Sequence, residues 1–377
     1  MKSWEQCQIY AVSTILRVSL QQLLLPQIKH SKFGSIDPNC FPQVWAPGDI
    51  MKKRDFLKVG AVSFGATLWP TWAAAQKHVF GNPITVVLPL QAGSASDVAV
   101  RYVTAALSAG MDTNFVVENV LGAGGIVGLD RVARAKPDGQ TLAALNNSIL
   151  TILPHLQPQN VKVNTLTEFE PIAGLANIPT FFAVPSSSAI KNIQDLVELA
   201  RKEPDRIHYA SGGIGSPQHL AAEMFSAYAK VKLTHVPYRG ASQATLAVAS
   251  GEVQVMPMAL SLAKPFLADK RVRLIGYCGT ERHPQYLDIP TLIEQGVKAY
   301  DYSSWIALFA PKGISTAALA ELRKQTQSVV NDPAIQQKMS NAGLDPWPKS
   351  PEQLSKIMQD DYVKWQTIIK DANIKGG

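Results

Sequence analysis

Short apolar runs alternate along the chain with stretches whose apolar residues recur every three to four positions, the signatures of buried strands and amphipathic helices. Residues 84–89 (Ile-Thr-Val-Val-Leu-Pro) are almost continuously apolar, as expected of a strand covered on both faces. A turn of small residues, 91–97, follows, and then a helical pattern over 98–109. Ser96 is the expected N-cap of that helix, and Asp97 suits its positive first turn. The order continues with strand 115–117, helix 126–135 and strand 141–145. It starts again near residue 180, with strand 181–184, helix 193–202, strand 207–210, helix 218–228 and strand 234–236. Within 193–202, Ile193, Leu196, Val197 and Ala200 share a face, and Pro204 stops the helix. Strands are expected at 254–258 and 272–277, and helices at 316–331, 334–342 and 352–372. Ser350, Pro351 and Gln353 make a capping-box start for the last, whose buried stripe is Leu354, Ile357, Met358, Tyr362, Trp365 and Ile369. Two rounds of strand and helix predict an α/β protein with two mostly parallel sheets. No polar linker separates the two rounds, so a ligand cleft is expected between two lobes.

Composition narrows this picture. At 377 residues the chain exceeds what one core serves, and 46% hydrophobic residues exclude a disordered or collagen-like chain. No uncharged apolar stretch reaches the roughly 18 residues that suggest a membrane span. The formal charge of +7 is uneven, because residues 1–75 hold eight Lys/Arg against four Asp/Glu and only +3 remains for 76–377. That excess is too small for the concentrated basic face that nucleic acid needs.

The break at 75 has a cause. Met51 opens a segment with Lys52, Lys53, Arg54 and Lys58, then an uncharged stretch that ends in Ala73-Ala74-Ala75, the build of a secretory signal peptide over 51–75. Lys53-Arg54-Asp55-Phe56-Leu57-Lys58 resembles a twin-arginine export motif with Lys in place of the first Arg, which leaves general secretion and the twin-arginine route both open. Residues 1–50 then read as a mis-assigned upstream extension of the start, which takes Cys7 and Cys40 with it; the rival account is a genuine amphipathic segment, since Ile9, Val12, Ile15 and Leu16 have helical spacing. The remaining cysteine, Cys278, lies in an apolar strand pattern and is expected as a packed small hydrophobe.

Candidate chemistry is confined to turns. Gly93-Ser94-Ala95-Ser96-Asp97 and Ser211-Gly212-Gly213-Ile214-Gly215-Ser216-Pro217 both run from a strand into a helix. Glycine lets backbone N–H groups approach a ligand, and helix starts favour an anion, so two such turns across a cleft make a carboxylate clamp. A third cluster, Gly122-Ala123-Gly124-Gly125-Ile126-Val127-Gly128, fails the dinucleotide fingerprint at Val127 and reads as a turn and helix start. No metal-ligand or hydrolase motif is found, His219 and His235 fall on different elements, and no nucleophile–base pair can be assembled.

The turns and their neighbours, taken in order, resemble a known family. The strand at 84 with Gly93 to Asp97, Val117-Glu118-Asn119 with the glycine cluster, and Pro137-Asp138-Gly139-Gln140-Thr141-Leu142 are similar to successive blocks of the substrate-binding receptors of tripartite tricarboxylate transporters, the Bug or TctC family. Tyr209-Ala210-Ser211 with Gly215, Pro217, His219 and Leu220 continues the match. So do His235-Val236-Pro237-Tyr238-Arg239-Gly240, then Trp305 with Leu308-Phe309-Ala310-Pro311, then Trp365 and Ile374. The resemblance implies a type II-like periplasmic binding protein with two crossovers, its first lobe 76–178 plus 305–377 and its second 179–304. It implies a monomeric periplasmic receptor, without catalytic residue, metal or cofactor, that hands a small carboxylate to integral membrane transporter subunits. A periplasmic sensor that signals to a membrane kinase or enzyme is the alternative. The implied ligand contacts are Gly93, Ser94, Ala95, Ser96, Asp97, Ser211, Gly215, Ser216 and His219. Gln91 and Ala92 depart from the family's proline pair, and Ser94 from its second glycine. Pro257-Met258-Ala259 stands where many members have Phe-Asp-Asn, which favours a carboxylate with an apolar or aromatic remainder over a polycarboxylate or an amino acid.

Overall fold

The computed structural model describes residues 80–374, apart from 82 and 372. The readings made of residues 1–75 fall outside these residues. Strand β1 (Ile84–Leu88) lies between β2 (Phe115–Asn119) and β3 (Thr141–Asn146), parallel to both. Its burial on both faces explains its unbroken apolar run. The sheet extends through β10 (Trp305–Pro311), β4 (Phe169–Asn177) and the two-residue β11 (Asp345–Pro346), in the order β11-β4-β10-β3-β1-β2. A second sheet has β5 (Thr180–Pro185) between β8 (Met256–Ala259) and β9 (Val272–Tyr277). The parallel pair β6 (His208–Ser211) and β7 (Thr234–Pro237) adjoins it through a bridge between Tyr209 and Val255.

The chain passes from the first sheet to the second at 177–180 and returns between 277 and 305, giving a two-lobed fold with two crossovers. The expectation of mostly parallel sheets needs correction at particular strands. Strands β10 and β11 pair antiparallel in the first sheet, and β5 pairs antiparallel with both neighbours in the second. The returning chain enters β10 directly from a loop, so the βαβ connection that enforces parallel pairing is missing there.

Helix α1 (Ala95–Gly110) begins three residues earlier than its pattern suggests. Ser94, not Ser96, is its N-cap: the Ser94 backbone is extended and Oγ accepts from Asp97 N–H at 3.3 Å. Helix α2 (Ile126–Ala133) follows a single 3-10 turn at Ala123–Gly125, as the glycine cluster suggests. A π-helical turn (Ser148–Ile152) and the short α3 (Leu153–Leu156) come next. In the second half, α4 (Ile193–Lys202), α5 (Pro217–Ala229), α6 (Ala241–Ser250) and α7 (Leu260–Ala268) cover the strands. Helices α8 (Thr316–Val330), α9 (Pro333–Asn341) and α10 (Pro351–Asp371) return to the first sheet.

The capping box forms as read, with Ser350 N–H donating to Gln353 Oε1 and Gln353 N–H to Ser350 Oγ. Helix α10 buries Leu354, Met358, Trp365, Ile368 and Ile369, while Ile357 and Tyr362 stay half-buried. It also braces the returning crossover: Trp365 meets Tyr302 edge-on, and the Trp305 indole donates to Asp361 at 2.8 Å. The Trp305 ring stacks on Trp347, which lies over Gly174 of β4, where a side chain would collide. Cys278 is fully buried beside the Tyr300 hydroxyl, and burial pushes its thiol up to about 12.

Candidate functional site

Between the two sheets lies a cavity of about 810 Å³. Its wall is built from the starts of helices. Ser94, Ala95 and Ser96 open α1, Ser216, Pro217 and Gln218 open α5, and Gly240 and Ala241 open α6. Gly122 to Gly125, which lead into α2, and Ala259, which precedes α7, add two more. The first N–H groups of a helix have no partner within it. Ser94 caps only Asp97 N–H and Ser216 only His219 N–H, so the N–H groups of Ala95, Ser96 and Gln218 are left for a ligand. Pro217 at the first helical position has no N–H to satisfy. Gly240 offers no capping side chain to α6 at all.

Charge on the wall has one sign. Arg239 is its one charged side chain among the described residues; it is exposed and in no ion pair with them. Several helix starts and an unpaired guanidinium, with no facing carboxylate, make a field that selects anions. Leu121, Leu156, Ile178, Ile214 and Leu262 add apolar wall, the amides of Gln157, Gln159 and Asn160 add neutral polar wall, and the hydroxyl-bearing Thr180 and Ser304 lie beside the crossovers.

The nine residues that the sequence singles out divide into two groups. Ser94, Ala95, Ser96 and Ser216 line the cavity. Asp97, Ser211, Gly215 and His219 are buried off the wall and Gly93 is exposed and off it, and all five shape the two loops. Asp97 is buried and turned inward, where it accepts from Gly93 N–H at 2.9 Å, Arg101 Nε at 2.8 Å and Asn119 Nδ2 at 2.9 Å. Burial pulls its carboxyl up, but these hydrogen bonds prevail and hold it below the usual range. Gly215 has φ +77° and lies so close to Leu153 that a Cβ would come within 2.8 Å of it.

The structure does bring a serine and a histidine together. Ser211 Oγ lies 2.6 Å from His235 Nε2 and accepts from Gly213 N–H at 3.0 Å. Ser211 is fully buried and off the cavity wall, which is not how a nucleophile is presented to a substrate.

Reasoning from sequence missed the start of α6, the Gly122 to Gly125 wall and Gln91. The glycine cluster is a visible signal of a turn and helix start, but carries none of a cavity wall. Helix α6 gives almost none, since Ala-Ser-Gln-Ala-Thr-Leu-Ala-Val-Ala-Ser carries no apolar stripe. Around the cavity, the two sides touch. Ser242 Oγ donates to Gly93 O at 3.3 Å, and the Gln91 side chain packs against the Cα of Gly240, its Oε1 buried without a partner. Gly124 sits so close to Ile214 O that an added Cβ would lie 3.1 Å away.

Residues 99–374 match the model of the tripartite tricarboxylate transporter family receptor. A protein of Pseudomonas sp. (strain P51), described as a UPF0065 protein in the tcbD–tcbE intergenic region, is 32% identical over 294 residues, 78% of this chain and 87% of its own. The solved periplasmic binding protein BugD superposes with a TM-score of 0.73 at 28% identity, covering 78% of this chain and 98% of that one. The R. palustris protein Rpa4515, solved with adipate, gives 0.74 at 26% identity over 81% of this chain and 99% of that one.

Proposed function

Since the chain belongs to the tripartite tricarboxylate transporter receptor family, we propose that it is an extracytoplasmic solute receptor that binds a small carboxylate and delivers it to a membrane transporter. It works in the periplasm, and the segments 76–178 plus 305–377 and 179–304 act as lobes that close over the ligand. The observation that carries this reading is the convergence of helix starts on a cavity whose one charged side chain among the described residues is Arg239. The carboxylate takes the N–H groups of Ala95, Ser96, Gln218 and Ala241, with the hydroxyls of Ser94, Ser96 and Ser216 at hand. Arg239 adds its charge from the mouth. Gly93, Asp97, Ser211, Gly215 and His219 serve by fixing the loops.

The remainder of the ligand is apolar or aromatic. Leucine and isoleucine side chains share its surroundings with the neutral amides of Gln157, Gln159 and Asn160, and no carboxylate among the described residues is there to receive an amino group. Adipate, with which a relative is solved, has a purely apolar middle but ends in a second carboxylate, so it matches the apolar remainder only in part.

A thermal-shift panel of benzoate, adipate, citrate and glutamate tests both parts. A ligand at 100 times its Kd stabilises by about 2.7 kcal/mol, roughly a 4 °C rise in Tm for about 300 folded residues. Benzoate or adipate is expected to give the largest rise. Citrate or glutamate binding most tightly would overturn the apolar assignment, and no response to any acid would overturn the receptor reading.

A further inference from the structure

Two histidines lie under the second loop rather than in the cavity. His219, in the first turn of α5, is buried, and its Nδ1 accepts a hydrogen bond from Gly215 N–H at 3.3 Å while its own backbone N–H reaches Ser216 Oγ at 3.4 Å. His235, on β7, packs its ring 4.6 Å from the His219 ring and holds Ser211 Oγ, which in turn accepts from Gly213 N–H. Between them the two imidazoles reach both ends of the loop, at Ser211–Gly213 and at Gly215–Ser216. The loop's exposed side carries Gly212, Gly213 and Ile214, which line the cavity, and Ser216 begins the α5 start.

We propose that His219 is a positioning residue: as a neutral imidazole it accepts from Gly215 N–H, and so aims the Ser216–Gln218 helix start at the ligand without touching it. This rests on the reading of the cavity as the carboxylate site.

The tautomer follows from the geometry. Gly215 N–H is a donor, so Nδ1 must be bare and the ring proton sits on Nε2. A proton on Nδ1 would set N–H against N–H, and Gly215 would have to turn away. His235 differs, because Ser211 can turn its own hydroxyl to Gly213 O, 3.2 Å away, and accept from a protonated ring.

The surroundings keep His219 neutral. Tyr209 of β6 stacks on His235 at 4.8 Å, and the one carboxylate close by, Glu223 of α5, is occupied by the Tyr209 hydroxyl at 2.5 Å. Tyr302 from the crossover donates to Pro217 O at the head of the helix. Among the described residues no anion faces either ring to stabilise a charge. Burial, and for His219 also the neighbouring His235, push both imidazoles down to about 4. The loop's acceptor is therefore intact throughout the neutral range.

The test combines NMR on the ligand-free protein with adipate binding. The Gly215 amide shift should follow the His219 ring titration with one midpoint, near 4. In His219→Asn the Oδ1 atom replaces Nδ1 as acceptor and cannot be protonated, whereas His219→Ala removes the acceptor. At pH 7, His219→Asn should bind adipate within twofold of the wild type and His219→Ala at least fivefold more weakly. Because the acid's own titration cancels in the ratio, the Asn variant should outbind the wild type about twofold at pH 4 and about fourfold at pH 3.5. A Gly215 amide indifferent to the ring titration, or a wild-type to Asn ratio constant down to pH 3.5, would overturn the proposal. If the amide follows the ring but no variant binds any acid of the panel, the coupling stands and the carboxylate reading falls.

Discussion

Gly240→Ala probes the fit between the two sides of the cavity at one atom. Gly240 has φ 176°, extended backbone open to any residue, so the substitution leaves local conformation unstrained. Its new Cβ, however, would overlap Oε1 and Cδ of Gln91 and come within 2.8 Å of that residue's Cβ. Gln91 belongs to the β1–α1 loop on the other side of the cavity, so the collision exists only where the two sides meet. Overpacking of this kind costs roughly 1–3 kcal/mol when the neighbour must leave its place. If the proposed lobes part without ligand, the cost falls on closure, and at 1.36 kcal/mol per factor of ten affinity should fall about 5- to 150-fold with little change in the ligand-free Tm. A ligand-free Tm lowered to match would show that the two sides already meet without ligand. Isothermal titration with adipate gives the affinity, and solution scattering gives the contraction on binding. Gln91→Ala removes the obstacle, so the double variant should recover at least 1 kcal/mol of the loss, read as coupling in a double-mutant cycle. A Gly240→Ala protein that binds and contracts like the wild type would refute the reasoning. So would an equal loss with and without Gln91, because the methyl would then be obstructing the ligand itself.

Three further outcomes follow from the site and its supports. Arg239→Gln should weaken adipate binding about tenfold and flatten its salt dependence, measured by titration at two ionic strengths. Asp97→Asn should lower stability by about 2 kcal/mol in urea unfolding, since it removes charge-assisted hydrogen bonds to Arg101 and Gly93. Because the Asp97 carboxyl is held below its ordinary 3.8, its contribution is complete above that value and lost as pH falls through the lower folded value; the urea midpoints of wild type and Asp97→Asn should converge in that acid range. Cys278 should resist a thiol reagent at pH 8 until the protein unfolds, since burial removes both access and the thiolate.

How much of this could be read in the sequence depended on how strongly each element signals itself. Helix α4 was legible to the residue, because Asn192 caps it, its apolar residues form a stripe, and Pro204 forbids continuation. Strand β4 was not. Phe-Glu-Pro-Ile-Ala-Gly-Leu-Ala-Asn carries a proline and a glycine that argue against a strand, yet Gly174 is required by the Trp347 ring above it. Helices α6 and α7 were also silent, the first for want of large apolar residues and the second because Pro265 sits inside it. At the site, the two glycine-bearing turns announced a helix start each. Which of their residues face the cavity was not legible, because Asp97 and His219 turn inward to partners 22 and 4 residues away. Arg239 and Gly240 reach the wall only through the packing of α6 against the β1–α1 loop, a contact between segments about 150 residues apart in the chain.

The tryptophan cluster at the returning crossover makes the molecule its own optical instrument. Trp305, Trp347 and Trp365 are the three tryptophans among the described residues, and all sit where the second half of the chain rejoins the first. Trp305 bonds to the half-buried Asp361, and Trp365 packs on Tyr302. A change in the angle between the halves must pass through residues 301–305 and alter the polarity around these indoles. Emission spectra recorded while an acid is added should therefore report closure in real time, with no dye and no engineered label.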